Sequence, residues 1–181
     1  MTTPNLEPLR YPIGRFKAPE NFNQTEISAH IETLEQLPER LEALVENLSD
    51  DQLDTPYRPE GWTVRQLIHH IADSHSHSYI RFKWSLTEDT PLIKAYNEQD
   101  WSELFDAKSA PVEMSLQNIK ATHARLVYLL RGLNDADLKK SFIHPEHGRE
   151  VPLWLNISLY AWHSDHHYAH IKNLMLRMGW D

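Results

Sequence analysis

Residues 153–178 read LWLNISLYAWHSDHHYAHIKNLMLRM, and the fold follows from how that stretch repeats. Leu153, Ile157, Tyr160, Ile171, Met175 and Met178 return at helical intervals, which predicts one long helix with a single apolar face. Gly179 supplies the residue that most easily takes the left-handed conformation closing a helix.

Three further segments show the same period. Upstream, Val112 to Leu133 carries Met114, Leu116, Ile119, Leu126, Leu129, Leu130 and Leu133, and stops at Asn134 and Asp135. Another helix starts at Thr63, where Thr63 and Gln66 make the T-x-x-Q pattern of a capping box, and runs to about Leu86. The earliest runs from Ser28 to Leu48, with Pro38 as a kink. Between the second and third, a short helix is expected from Glu98 to Asp106 behind Asn97, and Phe142 to Pro152 reads as a loop or tight hairpin. The first 25 residues hold Pro4, Pro8, Pro12 and Pro19 without periodicity and read as an extended arm. Residues 1–181 are thus read as one domain with an all-α fold, a four-helix up-and-down bundle.

Composition removes several function classes. A formal charge of -8 with no run of Lys or Arg argues against a nucleic-acid partner. No window reaches the roughly 18 apolar residues of a membrane span and no leader pattern opens the chain, so a cytoplasmic location is expected. Cysteine is absent, which excludes thiolate ligands and cysteine nucleophiles. The unusual feature is histidine, 12 in 181 residues, with four between His69 and His77 and four between His163 and His170.

His163 with His167, and His166 with His170, are both i, i+4 pairs, whose Cβ atoms lie about 5 to 6 Å apart on one helix face, so either pair can chelate an ion. Helical phase separates them. At about 100° per residue His167 falls within about 50° of the apolar centre with His163 on the same flank, whereas His166 falls about 140° away, in a solvent or interface direction. On the second helix His69 and His70 point about 100° apart, both off the apolar centre, with His70 slightly nearer. The isolated His30, His123, His144 and His147 read as surface or hydrogen-bonded polar residues. Tyr57, Trp62 and Arg81 are candidates to line a substrate mouth, Arg81 by binding a carboxylate with two parallel hydrogen bonds.

The block GWTVRQLIHHIADSHSHSYIRFK followed far downstream by YAWHSDHHYAHI resembles the DinB-like superfamily. Its YfiT branch, described as metal-dependent hydrolases related to bacillithiol transferases, is the nearest likeness, and the similarity extends from LRYPIGRF through LTEDTP and HPEHG to the C-terminus. In that family the first metal ligand is the His eight residues after the Trp that opens the second helix, here His70; the other two are the ends of H-x-x-x-H, here His163 and His167. The resemblance implies one divalent metal ion per chain, Zn or Ni, a homodimer, and a small-molecule substrate. An Asn is expected near His77 or Ser78 and is absent.

Three neutral imidazoles leave a coordination position open for water or substrate, the mark of a catalytic rather than a structural site. Such an ion activates either water, for hydrolysis, or a low-molecular-weight thiol, for transfer to an electrophile, with transfer read narrowly ahead. His170 is the candidate proton shuttle or hydrogen-bonded partner of a ligand. The alternative is a non-catalytic metal-binding stress-response module with a closed ion.

Overall fold

In the computed structural model, which describes residues 6–180, these periods become four long helices, several short ones and one hairpin. In chain order the elements are α1 (Glu7–Arg10), α2 (Gln24–Val45), α3 (Asp50–Leu53), α4 (Val64–Thr87), α5 (Glu98–Ser102), α6 (Phe105–Ser109), α7 (Val112–Arg131) and α8 (Asp135–Leu138). The antiparallel strands β1 (Ser141–His144) and β2 (Arg149–Pro152) and the long α9 (Leu153–Met178) complete the chain. The expected extended arm contains the single turn α1, and its residues 1–5 lie outside the described residues.

Local chemistry sets the ends. At the start of α4 the Thr63 hydroxyl accepts from the Gln66 amide at 3.1 Å while the Gln66 side chain accepts from the Thr63 amide at 2.9 Å, closing the expected capping box. Gln66 then donates to the Ser102 carbonyl at 2.8 Å, which ties α5 to α4. Buried Arg65 reaches Asp54 at 2.6 Å and Asp50 at 2.8 Å and fixes α3 beside α4. Gly179 closes α9 with φ +66°. Pro38 lies inside α2 without ending it.

The bundle core falls into two apolar blocks. One gathers Leu37, Leu41 and Val45 of α2, Val64, Leu67 and Ile68 of α4, Val112 and Ile119 of α7, and Ile171 and Leu174 of α9. The other gathers Ile27, Ile31 and Leu34 of α2, Phe82 of α4, Leu126 and Leu130 of α7, and Leu153 and Ile157 of α9. The first block therefore holds the C-terminal ends of α2 and α9 with the N-terminal ends of α4 and α7. It follows that α2 and α9 run one way and α4 and α7 the other.

This corrects the expected up-and-down order: the four-helix bundle is present, but it runs up, down, down, up, with α2 beside α7 and α9, and α4 likewise. Apolar period reports which face of a helix is buried and not which way the helix points. Direction is set here by residues 88–111, whose helices α5 and α6 pack on α4 as the chain returns along a helix about 36 Å long, at about 1.5 Å per residue. Between the two apolar blocks, α4 and α9 place a layer of histidines.

Candidate metal centre

His70 on α4 and His163 and His167 on α9 meet in that layer. The Nε2 of His163 lies 3.3 Å from the Nε2 of His70 and 3.1 Å from the Nε2 of His167. Two nitrogens each about 2.0 to 2.1 Å from one ion stand about 3.3 Å apart at the tetrahedral angle, so the spacing suits three ligands on one face of an ion. These three residues form a group whose donor atoms can reach a common metal.

Burial keeps the donors neutral, as coordination requires. It pushes His70 down to about 4, with His166 adding to the effect, and it holds His163 and His167 well below the ordinary histidine range. A cavity of about 410 Å³ opens onto the three rings. Trp62 lines it and packs its ring 4.7 Å from that of His70. Tyr57 lines it as well, 4.1 Å from the ring of His170.

A family model described as the DinB superfamily matches residues 33–171. The chain belongs to the DinB superfamily. It is 49% identical to "Putative metal-dependent hydrolase YfiT" of Bacillus subtilis over 180 residues, 99% of either chain. A Bacillus licheniformis protein named in the same terms is 44% identical over 176 residues, 97% of this chain and all of that one. The solved structure of YfiT from Bacillus subtilis, described as a probable metal-dependent hydrolase with an unusual four-helix bundle topology, superposes with a TM-score of 0.94 at 49% identity. That match covers 96% of this chain and 99% of the other.

In this DinB-superfamily protein the other expected residues fall in different places. His69 turns away from the three rings and bonds Ser115 at 2.7 Å and the Ala110 carbonyl at 3.1 Å. Arg81 is buried in the bundle, where it donates to the Tyr160 hydroxyl at 3.5 Å and sits 6.0 Å from the Phe142 ring; it does not line the cavity. His170 lines the cavity, donates from Nε2 to the Arg10 carbonyl at 3.1 Å and brings Nδ1 to 3.4 Å from the Nδ1 of His167.

His166 was expected to face solvent or an interface, and instead only 7% of it is exposed. The N-terminal segment supplies the missing cover: Tyr11 stands 5.9 Å from the His166 ring, and the Trp162 ring stacked on His166 donates to the Gly14 carbonyl at 3.3 Å. With His167 and His170 it forms a second group of closely spaced donors.

Sequence reasoning missed His75 and set His123 aside as an ordinary polar residue. Both are almost wholly buried, and His75 Nε2 lies 3.0 Å from His163 Nδ1. Pro38 is the one signal that pointed there. A proline inside a helix leaves the carbonyl four residues earlier without its amide partner, and that carbonyl, of Leu34, receives a bond from His123 Nδ1 at 2.6 Å.

Proposed function

We propose that the chain is a metal-dependent hydrolase in which His70, His163 and His167 hold one divalent ion, Zn or Ni. The observation that carries this reading is the approach of three neutral imidazole nitrogens, on the buried His70 and His167 and the half-buried His163, to 3.1 and 3.3 Å of one another on the wall of a cavity. Among the described residues no carboxylate joins the set, so an ion held there would keep its full charge and would supply Lewis acidity toward a water molecule or a substrate carbonyl.

The protein's own groups do the rest. Trp62 covers one side of His70 and keeps bulk water from that ligand. The Arg10 carbonyl accepts the Nε2 proton of His170, which leaves His170 Nδ1 to accept from His167 Nδ1 and leaves His167 Nε2 with its lone pair toward the site. His170 is on this reading a positioning residue. Arg81 holds Tyr160, whose ring stands 5.5 Å from His163, and so acts on the wall of the site rather than on a substrate carboxylate.

The test is metal analysis of the purified protein followed by assays of ester and amide substrates with and without chelator. We expect about one ion per chain and hydrolysis that is lost with the metal and restored by adding it back. Hydrolysis unchanged after complete metal removal overturns the reading. A low-molecular-weight thiol with an electrophile, run in parallel, tests the transfer chemistry that the resemblance implies.

A further inference from the structure

His163 is the end of a chain of hydrogen bonds that touches all four long helices. On α2 the Leu34 carbonyl accepts from His123 of α7 at 2.6 Å; His123 Nε2 lies 2.9 Å from Nδ1 of His75 on α4; His75 Nε2 lies 3.0 Å from Nδ1 of His163 on α9. His75 is 0% exposed and His123 1%.

The direction of every bond in this series is forced from one end. A carbonyl oxygen only accepts, so His123 carries its proton on Nδ1. A neutral imidazole has one N–H, so His123 Nε2 accepts and His75 Nδ1 must donate to it. By the same count His75 Nε2 accepts, His163 Nδ1 donates, and His163 Nε2 is left as a lone pair. That lone pair faces His70 and His167. Each ring nitrogen in these three contacts meets only the carbonyl or another imidazole, so one proton per contact, and hence one per ring, satisfies the whole series.

The Leu34 carbonyl is available because residue 38 is proline. In an uninterrupted helix the amide of residue 38 would bond that oxygen, but proline has no N–H, and the buried oxygen takes the His123 proton instead.

We propose that His75 and His123 are positioning residues that hold His163 in the tautomer protonated on Nδ1, with the Leu34 carbonyl freed by Pro38 setting the order of the whole series. The inference rests on the three-His metal reading for its consequence, since a His163 free to carry its proton on Nε2 would turn an N–H toward the ion. The tautomer itself does not depend on any metal.

Two measurements test it. In metal-free wild-type protein with nitrogen-15 histidine, the ring nitrogens of His163, His75 and His123 should each show a protonated Nδ1 and an unprotonated Nε2, the minority form of free histidine. A protonated Nε2 on His163 overturns the proposal. For the consequence, Zn²⁺ affinity is measured by chelator competition on the wild type, His75→Leu, His75→Gln and His163→Ala. Loss of a hydrogen-bond partner behind a ligand weakens metal binding about 10- to 100-fold, so that loss is expected for His75→Leu. His75→Gln, whose side-chain oxygen can accept from His163, should bind close to wild type, and His163→Ala should not bind. Wild-type affinity in a folded His75→Leu overturns the proposal. A wild type that binds no Zn²⁺ or Ni²⁺ overturns the metal reading instead, while the ring-nitrogen spectra still decide the tautomer.

Discussion

The two proposed α9 ligands, His163 and His167, are each backed by histidine, yet the two supports differ in kind. His163 leans on His75 and His123 and ends on a helix carbonyl in the middle of the core. His167 leans on His170 and ends on the carbonyl of Arg10, in the N-terminal segment laid over the bundle. The first support cannot move without unpacking four helices, whereas the second can be lifted by peeling back one surface strap. One ligand of the proposed site is therefore held by the fold and the other by a cover that also closes His166. The same i, i+4 spacing on one helix thus gives two pairs with different work, and the neighbouring element decides which.

The strongest test of that difference is the loss of whole ligands. A metal site reduced from three protein ligands to two is far weaker, so His70→Ala, His163→Ala and His167→Ala should each leave the protein metal-free under mild chelation. His69→Ala and His166→Ala should retain about one ion per chain, because His69 is turned to Ser115 and Ala110 and His166 lies under the strap. Metal content per chain checks all five. Retention in His163→Ala together with loss in His166→Ala would reverse the two pairs.

Next in size is the acid response of the core support. Burial pushes His123 down to about 4 from its ordinary 6.5, although its bond to the Leu34 carbonyl works the other way. The unfolded chain then takes up this proton at higher pH than the folded one. The contribution is complete above about 6.5, declines as pH falls toward about 4 and is level below that. At about 1.4 kcal/mol per pKa unit the decline amounts to about 3 kcal/mol. Urea midpoints of the metal-free protein at pH 7 and 4.5 measure it, and His123→Gln should show a smaller drop than wild type. Equal drops would place the acid sensitivity elsewhere.

How much of this was legible in the sequence depends on what kind of signal each feature leaves. The bounds of α9 and the Thr63 cap of α4 were legible because both are written in residues next to one another. Helical phase, a local quantity, favours His163 and His167 over His166 and His170 as the proposed pair, and the proposal of His70 over His69 leans on the family likeness. The up, down, down, up order was not legible, since direction lives in the connection at residues 88–111 and not in any helix period. His166 was misread because phase refers only to the bundle and takes no account of a third layer laid on it. His75 and His123 escaped because they lie at no chelating spacing. Pro38 was read as a kink when it also meant an unpaired carbonyl at Leu34.

A weaker effect is expected from the strap. A chain that begins at Lys17 lacks Arg10, so His170 Nε2 loses the carbonyl that orders it. Water reaches the opened position and accepts the same proton at little cost. Zn²⁺ affinity should therefore fall about tenfold or less, below the loss expected for His75→Leu. Chelator competition on the shortened chain decides it, and a loss as large as that of His75→Leu would erase the contrast between the two supports.

The smallest effect concerns His166, the histidine that the strap closes in. Its Nδ1 is buried without a hydrogen-bond partner among the described residues, and its ring is stacked on Trp162 at 4.4 Å between centroids and 18° between planes. Leaving a buried polar atom unpaired costs about 1 to 3 kcal/mol, and the stack needs only an aromatic face. His166→Phe keeps the face and removes the nitrogen, and the adjoining cavity gives the larger ring room. The expected gain is about 1 kcal/mol, a rise of about 2 to 4 °C in melting temperature for a chain of this length, with metal content unchanged. A fall in melting temperature with metal retained would mean that the nitrogen has a partner when the protein is in water. Loss of the ion would mean something larger: that His166, His167 and His170, the other close group of donors, hold it in place of His70 and His163.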